Sequence, residues 1–416
     1  MVAGGNLPLA FIGLGLAALA TAAVWLLRQP GLLSLPFMHP QVVAFVHLWL
    51  PGVLLSICVG AVYQLMPVVL GAPLKANVSG LWIHFGLHAV GVVCLVRAFT
   101  TSQFAWAGLG GTFITIGAVI LMVATVRTFR SADRRDASAW CFPLANGWLV
   151  ATVVFGIALA LNRRWPVLPL SAIDLLRAHA HLGLAGFFLT LLQGTTFQLV
   201  PMFTMGELRR PRLIWSGLVA TQAGLLALAP GLAWGIDWLT RTGAVILVGG
   251  LACSAVALVA TFRTRRRRKT EPGIKAFFVG AAALAVAALI GAVLAFAPAS
   301  VSSSHAWITA YGVLLIPGAL SLTILGMLCK IVPFLVWMRS YGPKVGKQPV
   351  PIATALASRA LENGWWIAHV GGLVLLVAGF ATSGAVLLAA ATALFLANMV
   401  RVLAHLRPRA PIPLPA

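Results

Sequence analysis

Residues 41–70 read QVVAFVHLWLPGVLLSICVGAVYQLMPVVL, without one aspartate, glutamate, lysine or arginine. As an α-helix this stretch would run about 45 Å, more than the roughly 30 Å of a bilayer's hydrocarbon core. The apolar residues run unbroken rather than alternating, which excludes an outer-membrane barrel strand. The stretch predicts a transmembrane helix that carries one histidine, His47, near its start.

The rest of the chain is built the same way. Of its 416 residues, 61% are hydrophobic and only 9% charged, whereas a soluble domain carries about 25% charged residues. A soluble fold of this length would lack the polar residues to cover its surface. The apolar segments predict an all-α membrane protein with twelve spans, near 7–27, 41–70, 79–99, 104–127, 139–161, 175–204, 212–234, 238–262, 274–298, 305–337, 361–380 and 383–406. They leave no room for a large soluble domain, so residues 1–416 read as one membrane domain. The first apolar stretch has no basic leader and no clear cleavage site, and reads as a retained span.

The net charge of +22 sits in the loops. Counted with the N-terminus inside, 22 lysines and arginines fall on the inner side and 6 on the outer, with Lys330 inside a span. By the positive-inside rule this predicts both termini in the cytoplasm of a bacterial-type inner membrane, and it accounts for the basic balance without nucleic acid. The five cysteines form no CxxC or CxxCH pair, so they suggest no disulfide, zinc site or covalent c-type haem.

The chain also repeats itself. His47-Leu-Trp-Leu-Pro-Gly52 matches His181-Leu-Gly-Leu-Ala-Gly186, and the match continues without a gap: Gly60 with Gly194, Gln64 with Gln198, Leu65 with Leu199, Pro67 with Pro201. Span 10 echoes it in two possible registers. Lys330-Ile-Val-Pro333 on Gln64-Leu-Met-Pro67 sets His305 on His39, whereas aligning His305 with His47 sets Gly318 on Gly60. Either register makes spans 2, 6 and 10 equivalent, which gives three pseudo-repeats of four spans (about 1–130, 131–270 and 271–416) and a quasi-threefold bundle.

Three quartets with histidines on spans 2, 6 and 10 resemble subunit I of the haem-copper oxidases. The closest segment is His47 followed by Leu65-Met-Pro-Val-Val-Leu-Gly-Ala-Pro73, which is similar to that family's His…Leu-Val-Pro-Leu-Met-Ile-Gly-Ala-Pro. The resemblance implies that His47 and His305 ligate a low-spin b-type haem, with Arg177 at its propionates and with His181 and His179 as further metal ligands, copper included. The chain departs from the family at the oxygen-reducing centre. Span 7 has no histidine, span 10 reads His305-Ala-Trp307 rather than His-x-His, and no tyrosine follows His181 within its helix. The expectation is a divergent relative, nearer to the twelve-span haem proteins of nitric-oxide response. It would work in electron transfer or small-molecule redox sensing with a membrane or periplasmic electron-transfer partner. The rivals are a reductase of nitric oxide or another small gas at a non-standard metal site, and a haem-free transporter or assembly factor on the same fold.

The remaining polar residues each have a plain reading. His39 and His405 read as interfacial. His84 and His88, at i and i+4, share one face of span 3 and suit a metal or a proton relay, although no acidic partner is near in sequence. His369 lies mid-span beside Trp365 and Trp366. Lys330 reads as snorkelling to the inner interface, Gln64 and Gln198 as helix-to-helix hydrogen bonds, and Asp174 with Arg177 as an ion pair at the entrance to span 6.

Overall fold

The computed structural model describes residues 6–166, 169–267 and 269–407; of the basic residues counted above, Arg268 and Arg409 lie outside that set. Among the described residues every regular element is helical. Twelve helices are long and apolar enough to cross a membrane: Leu7–Arg28, Pro40–Leu70, Val78–Thr100, Ala105–Arg130, Ala137–Asn162, Ala172–Thr204, Pro211–Ala233, Asp237–Arg263, Pro272–Phe296, His305–Ser340, Arg359–Val377 and Ala381–Leu406. These are spans 1 to 12, each within a few residues of its sequence reading, and they make the chain a multi-pass membrane protein.

Local chemistry sets the ends of the spans. The Asn77 side chain accepts from Ser79 N at 3.0 Å and Asp136 accepts from Ala139 N at 3.0 Å, so both satisfy backbone donors that a helix start leaves open. His39 caps span 2, its Nδ1 accepting from Gln41 N at 3.3 Å. Span 2 ends at Gly71, whose φ of +64° is a left-handed stop that glycine adopts without a Cβ penalty.

The three longest spans are not plain α-helices. Span 2 widens to a π-helix over Leu48–Leu55, span 6 over Leu182–Leu189 and span 10 over Leu314–Ser321. Pro51 and Pro317 lie inside the first and third of these segments, where a proline removes a ladder donor. The second begins 134 residues after the first, the spacing of the sequence repeat. The third begins 266 after the first, the spacing that also carries Pro67 to Pro333, Gln64 to Lys330 and His39 to His305. In the register that superposes the π-segments, Val313, not His305, corresponds to His47.

The repeated glycines seat each long span on the span before it. A Cβ on Gly60 would lie 2.6 Å from Pro8 O of span 1, and one on Gly326 would lie 2.6 Å from Gly273 O of span 9. One on Gly194 would collide with the Cys141 side chain of span 5. Only glycine permits these approaches, which suit bilayer packing, where close backbone contact replaces the hydrophobic drive.

Two compact units divide the contacts. The first comprises Met1–Ala18, Phe37–Arg268 and Ala288–Ile308; the second comprises Leu19–Pro36, Lys269–Ala287 and Thr309–Ala416.

Candidate functional site

In the first unit, the histidines that open the π-segments share one geometry. His47 Nδ1 is 2.8 Å from Val43 O, and His181 Nδ1 is 2.8 Å from Arg177 O, each one turn back on its own helix. A carbonyl only accepts, so in the neutral ring the proton is on Nδ1 and the lone pair is on Nε2. His179 is held the same way from outside its helix, with Nδ1 3.0 Å from Thr152 O of span 5. Gly156 makes room for it, since a Cβ there would come within 3.0 Å of His179 Cε1. His47 and His179 are near enough to interact electrostatically. One face of His47 lies against Phe99, with ring centroids 4.7 Å apart at 32°.

Arg177 pairs with Asp174 at 3.4 Å and is 42% exposed, so its guanidinium stays available to a further anion. His305 opens span 10 in an exposed position. His47 thus interacts with His179, His181 is bonded only to the Arg177 carbonyl one turn back on its own helix, and His305 stands at the exposed start of span 10.

This donor set suits a haem, which asks for one or two neutral imidazoles with oriented lone pairs. It is a poorer match for a copper held by three ligands, because no three His, Cys, Asp or Glu side chains converge among the described residues.

The other buried histidines serve the π-segments. His88 Nε2 is 2.9 Å from Ser56 Oγ, and the His88 ring also bonds Pro51 O within the segment of span 2. His369 Nε2 is 2.8 Å from Pro317 O, the corresponding carbonyl of span 10. In span 6 the job falls to Gln222, whose Nε2 donates to Thr190 Oγ1 at 3.0 Å while Thr190 donates to Ala185 O at 3.4 Å. A widened turn leaves carbonyls poorly paired, and buried carbonyls need donors. This interhelical role accounts for His88 and His369 without a metal.

Three sites were not visible in the sequence. Tyr63 Oη is 2.7 Å from His84 Nδ1, both side chains being fully buried. Gln198 is met by Arg134 of the loop between spans 4 and 5 at 3.5 Å. In the second unit Lys330 pairs with Glu271, and buried Glu362 lies within electrostatic range of Lys330. An ion pair, not snorkelling alone, explains this lysine. No signal in the sequence joins residues that distant, apart from the scarcity of carboxylates, seven in the whole chain.

No family model matches this chain, and no curated protein matches it.

Proposed function

We propose that the protein is a haem-binding membrane protein of the haem-copper oxidase subunit I type, built of three pseudo-repeated quartets and lacking a standard oxygen-reducing centre. Its work is electron transfer or small-molecule redox sensing. The observation that carries this reading is the repeated imidazole at the head of a π-segment. A backbone carbonyl fixes the His47 tautomer and orients its ring, which is what an axial ligand requires. When bound, a b-type haem supplies one-electron chemistry at its iron. His47 would hold the haem iron, and His179, anchored on Thr152 O and in electrostatic range of His47, would be the second imidazole rather than the exposed His305. Phe99 would shield the His47 ring from water, and Arg177, beside Asp174, would meet the propionates. The basic loops set both termini in the cytoplasm of a bacterial-type inner membrane, with an electron-transfer partner approaching from the opposite side.

The test is the absorption spectrum of the purified full-length protein, reduced minus oxidised. A Soret band and low-spin bands are expected. His47→Ala and His179→Ala should abolish or convert the low-spin bands, and His305→Ala should leave them. His181→Ala counts the haems: a partial loss of Soret absorbance at an unchanged low-spin fraction marks a second one. A protein without a Soret band ends the haem reading. It would favour the haem-free transporter, for which Lys330 inside span 10, half-buried and paired with Glu271, speaks, because charge inside a membrane is by default functional.

A further inference from the structure

The 134-residue spacing extends beyond the histidine helices. Ser56 corresponds to Thr190, Tyr63 to Phe197, His84 to Leu218 and His88 to Gln222. Two of these pairs do the same work, since Ser56 with His88 and Thr190 with Gln222 both satisfy a π-segment. The other two differ in kind. Phe197 and Leu218 are buried in one apolar cluster. Their counterparts Tyr63 and His84 are equally buried but polar, and they bond each other at 2.7 Å. The scaffold therefore closes this layer with an apolar pair in one quartet and uses a phenol and an imidazole in the other. Room is made for the imidazole at Gly117, where a Cβ would lie 2.6 Å from His84 Cδ2. Packing does not call for that substitution, and burying two polar groups brings no gain beyond their own hydrogen bond.

What the substitution creates is a line of proton-exchanging groups. From Tyr63 Oη it passes to His84 Nδ1 at 2.7 Å. The His84 and His88 rings follow, one turn apart and edge to face, with centroids 6.1 Å apart. His88 Nε2 then meets Ser56 Oγ at 2.9 Å, and Ser56 reaches Pro51 O at 3.4 Å. Phe11 covers the line, with ring centroids 5.0 Å from His84, 5.7 Å from His88 and 5.9 Å from Tyr63. Along span 2 the line covers about 18 Å of helix, from residue 63 to residue 51, and ends one turn from His47.

We propose that Tyr63, His84, His88 and Ser56 form a proton relay through the first unit toward the His47 site. In each passage Tyr63 gives its hydroxyl proton to His84 Nδ1 and takes another from a water on its far side. His84 releases the proton on Nε2, and one water or a turn of the ring carries it across to His88. His88 accepts on Nδ1 and gives up its Nε2 proton to Ser56, and in the same step Ser56 turns from Pro51 O and releases its own hydroxyl proton to a water on the His47 side. No group changes its net charge over a full passage, but each imidazole leaves in the opposite tautomer. The consumer of the protons rests on the haem reading above; the path itself does not.

Two measurements on the full-length protein in lipid test it. With 15N-labelled histidine, the ring nitrogens of His84 and His88 are assigned by comparison with H84L and H88Q. A relay shows two interconverting tautomers at His84, and Tyr63→Phe freezes it into one. A single fixed tautomer at both rings of the unaltered protein overturns the proposal. The double variant Tyr63→Phe/His84→Leu installs the apolar pair that the second quartet already packs. It should fold and keep its haem, while proton uptake on reduction, followed with a pH-indicating dye, slows at least about tenfold. Unchanged uptake at unchanged haem content overturns the proposal. If the unaltered protein carries no haem, the haem reading fails and the tautomer measurement alone decides the relay.

Discussion

At His88 the second quartet supplies the control for the first. Gln222 shows that an amide donor satisfies a π-segment through a neighbouring hydroxyl, so His88→Gln should cost little stability. His88→Leu removes the donor to Ser56 and Pro51 O and should cost about 1–3 kcal/mol, the penalty for orphaning a buried polar group. Thermal unfolding in detergent separates the two; equal losses would mean that the imidazole is needed for its shape. Lys330 allows a similar comparison. Its side chain is 10% exposed and that of Glu271 is 20% exposed, so Lys330→Met alone strands a carboxylate and should cost about 3–5 kcal/mol, most of it regained in Lys330→Met/Glu271→Gln. A double variant as unstable as the single one would show that the two residues act independently. His47 was legible in the sequence because a histidine inside an uncharged apolar run stands out. Its interaction with His179, its tautomer and the Tyr63–His84 bond were not. They depend on how far each helix is rotated about its own axis, which a hydropathy pattern records only coarsely.

Elements were the most legible scale, and also the scale where one hidden feature mattered. Unbroken apolar runs located all twelve helices, and the matched glycines and prolines aligned spans 2 and 6. The π-segments left no trace in the pattern, since the segment of span 6, LGLAGFFL, contains no proline to mark it. Superposing them pairs His305 with His39. An eight-residue difference corresponds to about 12 Å along a helix. Single cysteines placed at His39, His47 and His305 in a cysteine-free background should therefore react differently with a membrane-impermeant maleimide. His39→Cys and His305→Cys should label readily, and His47→Cys should not. Labelling of His305→Cys as slow as that of His47→Cys would restore the other register and make His305, not His179, the second imidazole of the proposed haem site.

The whole molecule is described by its charges more than by its shape. Only seven carboxylates face 29 lysines and arginines, so few of the cations can be neutralised within the protein. The exposed Arg266 shares Glu207 with Arg209, at 3.7 Å and 2.8 Å. Such clusters are retained on the cytoplasmic face, where they are not translocated and where anionic lipids attract them. Because the helices alternate direction, fixing one loop fixes all twelve. With both termini inside, span 2 runs from outside to inside, His47 lies in its outer half, and the line from Tyr63 leads toward it from the cytoplasmic side. Arg266→Cys in the cysteine-free background decides the matter. In intact cells an impermeant maleimide should leave it unmodified, and after permeabilisation it should label fully. Labelling in intact cells would reverse the orientation of every span, place the His47 site near the inner surface, and make the periplasm the source of any proton that passes Tyr63.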